Sequence, residues 1–387
     1  MSKPVEVAVQ APPPELLHAT ELAFLRAWDP GPRPPGFALT PRAVVTFVMG
    51  TKGESLELPK KATVPDGVPK KLAIVEKFVG DRAIVERAVV TLAGERGLLL
   101  VGEPGTAKSM VSELLAAAIS NTSGLTVQGT AGTTEDQLRY GWNYALLLAK
   151  GPSIEALVPS PVLSAMRRGA LARVEEVTRC LPEVQDALVS ILSDRRMAVP
   201  ELSGDGHLEL AKPGFNVIAT ANLRDRGVSE MSAALKRRFN FETIPPIADP
   251  AREIALVKRQ AEAVLARVAE PMKVDDAVIE ALVTAFRDLR AGRTVEGWAV
   301  EKPGTVMSTA EAVGVASSIA LQTAYFAGDR DPLGLLPGYL LGVVLKDDPK
   351  DRGRLLAYWD ATVKRRADQK VRLWQQLYEL RGTLEEH

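Results

Sequence analysis

The chain has 387 residues, enough for two or three domains with a sizeable core. Lys and Arg number 48 and Asp and Glu 48, and a formal charge of zero argues against a protein that coats nucleic acid or an anionic membrane. A single cysteine rules out an internal disulfide, and three dispersed histidines leave almost nothing from which to build a zinc cluster, so any metal chemistry must use oxygen ligands.

Twelve of the 27 prolines fall in residues 1–70, including Pro12-Pro13-Pro14, so short elements alternate with linkers there. Glu15–Ala27 predicts a helix, and the apolar run Ala43–Met49 predicts a strand. This Pro-rich region is expected to be an accessory one: a small domain, a tail packed on the main body, or linker. From Lys71 to Ala93 apolar residues recur at helical spacing, interrupted at Gly80-Asp81. Leu98–Val101 is a continuous apolar run, as a strand buried on both faces of a parallel sheet requires. Similar runs at Leu125–Gln128, Ala170–Val174 and Phe215–Thr220 alternate with helical stretches at Lys108–Ile119 and Pro182–Ser193. Such alternation predicts an α/β layered fold around a mostly parallel sheet.

Ser203-Gly204-Asp205-Gly206, flanked by Met197–Leu202 and His207–Leu210, is a hairpin signal. Beyond Pro245 the strands stop. Asp249-Pro250 supplies an N-cap carboxylate and a first-position Pro for a helix running to about Ala269. Helices follow at Asp275–Leu289 and Thr309–Phe326, the latter headed by Ser308 with Glu311 as a capping box. Leu355–Leu380 is amphipathic and predicts a further helix. No apolar run reaches the roughly 20 residues that span a bilayer. The longest, Leu335–Leu345, is broken by Pro337 and Gly338, and the N-terminus lacks the apolar core of a secretory signal. The expectation is a soluble, cytoplasmic protein.

Gly102-Glu103-Pro104-Gly105-Thr106-Ala107-Lys108-Ser109 follows the Leu98–Val101 strand directly and opens a helix. Backbone N–H groups and the helix N-terminus suit a phosphate there, Lys108 supplies charge for β and γ phosphates, and Ser109 offers a hydroxyl to Mg²⁺. The generic pattern has Gly in place of Ala107, which requires only that φ there be acceptable to a residue with a Cβ. The plain alternative is a turn, with Lys108 an exposed first-turn residue.

A nucleotide hydrolase also needs an acid beside Mg²⁺ and a base to orient water, usually at the end of a neighbouring strand. Glu175 and Glu176, ending the strand that begins at Ala170, suit those two roles. Arg173, within the same strand, is read as packing its stem while its head snorkels to the domain edge. Asn222 ends the next strand, placed to hold the attacking water with Glu176 or simply to start a turn. Arg237 and Arg238 follow a short helix and suit either a finger for a neighbour's γ-phosphate or a solvated helix end.

Together these stretches resemble the AAA+ ATPases, and within them the MoxR group, over about Val79 to Leu345. The resemblance rests on Val79-Gly80-Asp81, the phosphate loop, Gly129-Thr130, Gly169-Ala170-Leu171 leading to Glu175-Glu176, Pro182-Glu183-Val184-Gln185 behind the acids, Ala219-Thr220-Ala221-Asn222, and Arg238-Phe239. It implies an AAA+ parallel-sheet core at 71–246 with a helix-2 insert near 134–161, a helical lid at 247–345 and a C-terminal extension at 346–387. Implied nucleotide contacts are Val79, Gly80, Glu103, Pro104, Gly105, Thr106, Ala107, Lys108, Ser109 and Met110. Walker B would be Glu175 and Glu176, with Mg²⁺ held by Ser109 and Glu175. Asn222 would be sensor 1, and Arg238, or else Arg237, the arginine finger. Gln185 is assigned to subunit packing. Where the group has its sensor 2 arginine this sequence has Ala310, so either that arginine is missing or Lys302 or Arg293 substitutes. Tyr140, Trp142 and Tyr144 of the insert either meet a partner or ring pore or pack the insert. The resemblance implies an Mg²⁺-ATP-dependent ATPase that assembles as a hexameric ring and remodels or matures a protein client, with a von Willebrand factor A domain protein as the expected partner. A nucleic-acid motor and a weakly hydrolysing scaffold are the alternatives.

Overall fold

The computed structural model describes residues 10–61, 63–64, 66–202, 207–222, 229–266, 274–326 and 331–385. The chain divides into two compact units, Met1–Glu103 with Ala107–Ile244, and Pro104–Thr106 with Pro245–His387. Among the described residues no helix is long and apolar enough to cross a membrane.

The first unit opens with helices α1 (Pro14–Leu17), α2 (Ala19–Trp28) and α3 (Pro41–Met49) and the antiparallel pair β1 (Ser55–Glu57) and β2 (Lys71–Ala73). Three sequence expectations fail here, the first being the single Glu15–Ala27 helix, which is broken at His18 between α1 and α2. Ala43–Met49 is helical because the Thr40 hydroxyl caps the Ala43 amide and Pro41 takes the first position. An apolar run buried all round has no periodicity by which to tell strand from helix. Lys71–Phe78 is strand and extended chain, its Lys71–Ala73 half recruited by β1. The helix expected there begins only at α4 (Arg82–Ala93), where the Asp81 side chain caps Ala83.

Five parallel strands follow: β3 (Gly97–Val101), β4 (Thr126–Gln128), β7 (Leu171–Glu175), β10 (Asn216–Ala221) and β11 (Phe239–Thr243), lying side by side in the order β11-β3-β10-β7-β4. This is the α/β parallel-sheet core expected from the alternating pattern. Helix α5 (Lys108–Ser120) follows β3. Between β4 and β7 lie α6 (Glu135–Leu138), β5 (Tyr140–Trp142), α7 (Tyr144–Lys150), β6 (Leu157–Pro159) and α8 (Pro161–Arg168), with β5 and β6 paired antiparallel. Helix α9 (Pro182–Asp194) and the antiparallel pair β8 (Arg196–Ala198) and β9 (Leu208–Leu210) separate β7 from β10, and α10 (Ala233–Lys236) precedes β11. The Ser203–Gly206 turn signal itself lies outside the described residues.

Alternate residues of β3 serve two cores, as a pleated strand covered on both faces demands. Leu98 and Leu100 join a cluster with Phe24, Phe47, Val48, Phe78 and Leu115, while Leu99 and Val101 join Leu163, Met166, Val174 and Leu188 on the other face. The described N-terminal segment thus supplies one layer of the sheet's covering. Tyr140 is buried and Trp142 half-buried against the second cluster, whereas Tyr144 is 72% exposed.

The second unit is helical: α11 (Pro250–Leu265), α12 (Asp276–Ala291), α13 (Thr309–Tyr325), α14 (Leu336–Val344), α15 (Asp351–Tyr358), α16 (Lys364–Asp368) and α17 (Arg372–Glu379). Asp249 caps α11, and Ser308 with Glu311 forms the expected capping box on α13. The stretch Leu355–Leu380 is not one helix: a wide turn at Trp359–Val363 precedes α16, and Lys370, at φ 61°, turns the chain before α17. This break lets Trp359 and Leu377 meet, with the Trp359 indole N–H donating to the Leu377 carbonyl at 3.0 Å. One core runs from Val257 to Leu384.

Phe47 is fully buried in the N-terminal layer. Phe47→Ala should destabilise the first unit by about 3–5 kcal/mol, read from urea denaturation; a loosely attached N-terminal segment would give little change.

Candidate active site

Parallel strands aim their carboxyl ends at one edge, and in open α/β sheets ligands bind outside that edge. Here β3 ends in the 102–107 loop, β7 in Glu175-Glu176, β10 in Asn222 and β4 in Gly129. Ile218 pairs with Arg173 and Ala219 with Val174, so the register brings Thr220 beside Glu175. The Thr220 hydroxyl donates to Glu175 Oε2 at 2.7 Å and accepts from the Glu176 amide at 2.9 Å. Glu176, at φ 50° and ψ 47°, is thereby held in the left-handed region. Its carboxylate pairs with Arg179. Gly129 closes the other side: its amide donates to the Glu175 carbonyl at 2.7 Å, and a Cβ there would lie 2.4 Å from the Glu176 carbonyl oxygen.

Glu175 is buried. Oε1 receives the Ser112 hydroxyl and, at 2.8 Å, Arg173 Nη2. Burial alone would push this carboxyl up, but the Ser112 hydroxyl, the Arg173 charge and the Ser109 and Thr220 hydroxyls together hold it below its ordinary value. Arg173 does not snorkel. It is 7% exposed, and its guanidinium points inward under α5 because residues two apart on a strand share a face.

The phosphate loop precedes α5 with Gly105 at φ 74° and Ala107 at φ 68°. The expectation that Ala107 merely needs an ordinary φ therefore fails: the position is left-handed, which explains why glycine suits it. Lys108 Nζ donates to its own loop, to the Gly102 carbonyl at 3.1 Å and the Glu103 carbonyl at 2.7 Å. Glu103, Thr106 and Lys108 are part-buried, Pro104, Gly105 and Ser109 exposed, and Met110 packs against the first core. Val79 and Gly80 are half-exposed just before α4, with Phe78 covering Gly80. The donor set fits a nucleotide-borne Mg²⁺: the Ser109 hydroxyl and the Glu175 carboxylate bond each other, and both are hard oxygen ligands.

Asn222 is buried at the end of β10, and its Oδ1 has no hydrogen-bond partner among the described residues. A buried acceptor left unpaired suits a site that takes up a water or ligand. Arg238 is tied to its own chain, donating to the Ala234 carbonyl at 2.6 Å and to Ser193, while Arg237 is exposed. Gln185 is not at the surface. It is 1% exposed and its amide donates to the Cys180 carbonyl at 2.9 Å, so it packs within its own subunit. In the second unit Ala310 lies in the first turn of α13, Lys302 covers Gly292, and Arg293 bridges to Ala299. Sequence reasoning missed Ser112 and Thr220 as partners of the acids. Their signal was positional: Ser112 falls one turn after Lys108, and Thr220 one register step past the paired Ala219 and Val174.

The family described as AAA domain (dynein-related subfamily) matches residues 97–239, which hold the loop, both acids and both arginines. The YehL-like AAA+ ATPase C-terminal domain matches residues 251–385. YehL of Escherichia coli (strain K12) is 47% identical over 376 residues, covering 97% of this chain and 98% of its own length. SH1500 of Staphylococcus haemolyticus (strain JCSC1435) is 28% identical over 211 residues, covering 54% of this chain and 74% of its own. Among solved structures, NtrX from Brucella abortus in complex with ATP aligns with a TM-score of 0.47 at 14% identity, over 80% of this chain and 69% of that one. The chain carries an AAA+ domain followed by a family-specific helical domain. It belongs to the YehL-like AAA+ ATPases.

Ala107→Gly should raise the stability of the first unit by about 1 kcal/mol in chemical denaturation by relieving the left-handed alanine. The depressed Glu175 carboxyl stabilises the fold above the ordinary carboxylate range, and that contribution is lost as pH falls through its folded value. The destabilisation caused by Glu175→Gln should therefore shrink on acidification, followed by urea midpoints across pH.

Proposed function

We propose that this protein is an Mg²⁺-dependent ATP hydrolase that works as an oligomeric ring of the MoxR type and remodels or matures a protein client. The observation that carries this reading is the meeting of the phosphate loop, Glu175, Glu176 and Asn222 at one edge of the sheet, with Thr220 bonded to both acids. Membership of an AAA+ ATPase family supports it.

In this reading the phosphate-loop amides and Lys108 hold the β and γ phosphates, with Val79, Gly80 and Met110 beside the nucleotide. Ser109 and Glu175 hold Mg²⁺, which when bound supplies charge neutralisation on the phosphates. Glu176 accepts the proton of the attacking water, and Asn222 orients that water through its unpaired Oδ1. To do so the Glu176 carboxylate must leave Arg179. A neighbouring subunit contributes Arg238 or Arg237 to the γ-phosphate. The first would have to release Ala234 and Ser193, whereas the second is already exposed. A hexamer, a von Willebrand factor A domain partner and a cytoplasmic setting belong to the same reading.

A slowly hydrolysing, nucleotide-dependent scaffold is the second reading, favoured by the ion pair that Arg173 makes with the metal-side acid.

Lys108→Ala should abolish nucleotide binding in calorimetry, and retained affinity would mean that the 102–109 loop does not hold the phosphates. Phosphate release stimulated by a co-purifying protein, and not by DNA or RNA, is the result expected of a client remodeller; stimulation by nucleic acid would replace it with a motor.

A further inference from the structure

Arg173 is an unusual residue for the centre of a buried parallel strand, where a charge is costly unless it is fully paired. All three guanidinium nitrogens are engaged. Nε donates to Ser112 Oγ at 3.0 Å, Nη1 to the Ser123 carbonyl at 2.9 Å, and Nη2 to Glu175 Oε1 at 2.8 Å and the Ser109 carbonyl at 3.3 Å. Four partners from α5, the turn after it and β7 thus enclose one fixed cation. Two of those residues, Ser109 and Glu175, are the pair proposed to hold the metal, and Ser112 links the arginine to the acid by accepting from one and donating to the other.

We propose that Arg173 is a positioning residue that acts as a built-in counter-cation for Glu175, allowing nucleotide to bind before or without Mg²⁺. The inference rests on the nucleotide reading of the phosphate loop. A buried carboxylate next to the phosphate loop repels a polyphosphate unless a cation offsets it, and an arginine is never deprotonated. Where a site of this kind carries an uncompensated acid, the metal must supply that charge. Here the chain supplies it, and the same guanidinium holds the first turn of α5 to β7 through the Ser109 carbonyl.

The test is calorimetric binding of ADP in saturating Mg²⁺ and in EDTA, for wild type, Arg173→Met and the double variant Arg173→Met with Glu175→Gln. Circular dichroism melts report folding. Wild type should lose little affinity when Mg²⁺ is removed. Arg173→Met should lose at least about tenfold more than wild type on removal, the size expected for one uncompensated charge at a partly solvated site, and should regain affinity with Mg²⁺. The double variant deletes the buried pair whole, so it should bind ADP in EDTA as wild type does. A folded Arg173→Met with the Mg²⁺ dependence of wild type overturns the inference and leaves the nucleotide site standing. If Arg173→Met does not fold, the double variant decides: a stronger Mg²⁺ requirement than wild type overturns the inference. Wild type that binds ADP in neither condition overturns the inference and the nucleotide reading together.

Discussion

Thr220 stands between two strands with one hydroxyl and two obligations: it donates to the Glu175 carboxylate and accepts from the Glu176 amide. This pair of bonds is possible only in the observed parallel register of β7 and β10, because a shift of one residue turns every side chain to the opposite face. Everything else at the sheet edge follows from that register. It sets Glu175 under the start of α5, holds Glu176 in a left-handed conformation, and leaves Gly129 as the one residue type that can approach the acids so closely. The loop after β3 opens on the same edge because β3 pairs with β10 on its other side.

Charge is handled locally throughout the molecule, which is how a chain with 48 cationic and 48 anionic side chains reaches neutrality without being featureless. In the first unit Arg173 and Glu175 are both buried and bonded to each other. In the second, Glu253, 1% exposed, receives Arg287, Arg290 and the Thr309 hydroxyl. Arg366 spans Asp288 and Glu296 while lying over the Trp374 ring, which ties the last helices to α12. Breaking such pairs by removing one partner is far more damaging than replacing both with well-packed apolar residues. Between β4 and β7, Leu148 is 89% exposed one helical turn from Tyr144, while Tyr140 is anchored to Glu201 at 2.9 Å, with its hydroxyl pushed up to about 12 by burial and that carboxylate.

Much of the fold is legible in the sequence because its signals are redundant. The buried strands read as apolar runs with β-branched residues, and the helices of the second unit carry caps whose chemistry is local: Asp249 with Pro250, and Ser308 with Glu311. Where legibility ends, a single competing effect is responsible. Ala43–Met49 lacks periodicity because it is buried all round, and only Thr40-Pro41 marks it as helix. Lys71–Ala73 is held as a strand by a partner at Ser55–Glu57 that propensity alone does not see. The candidate site is legible in its parts and not in its wiring. Lys108, Ser109, Glu175, Glu176 and Asn222 follow from motif spacing, whereas the inward turn of Arg173 and the bridging by Ser112 and Thr220 depend on which strands are neighbours, a fact of topology.

The role proposed for Glu176 is that of a base at a working hydrolytic site, beyond its surface ion pair with Arg179. Phosphate release from ATP by the full-length protein, compared between wild type and Glu176→Gln with nucleotide binding measured in parallel, tests it most directly. Unchanged binding and a loss of turnover of about 10²-fold or more, the range of a positioned general base, are the expected result. Turnover by Glu176→Gln equal to that of wild type would contradict it.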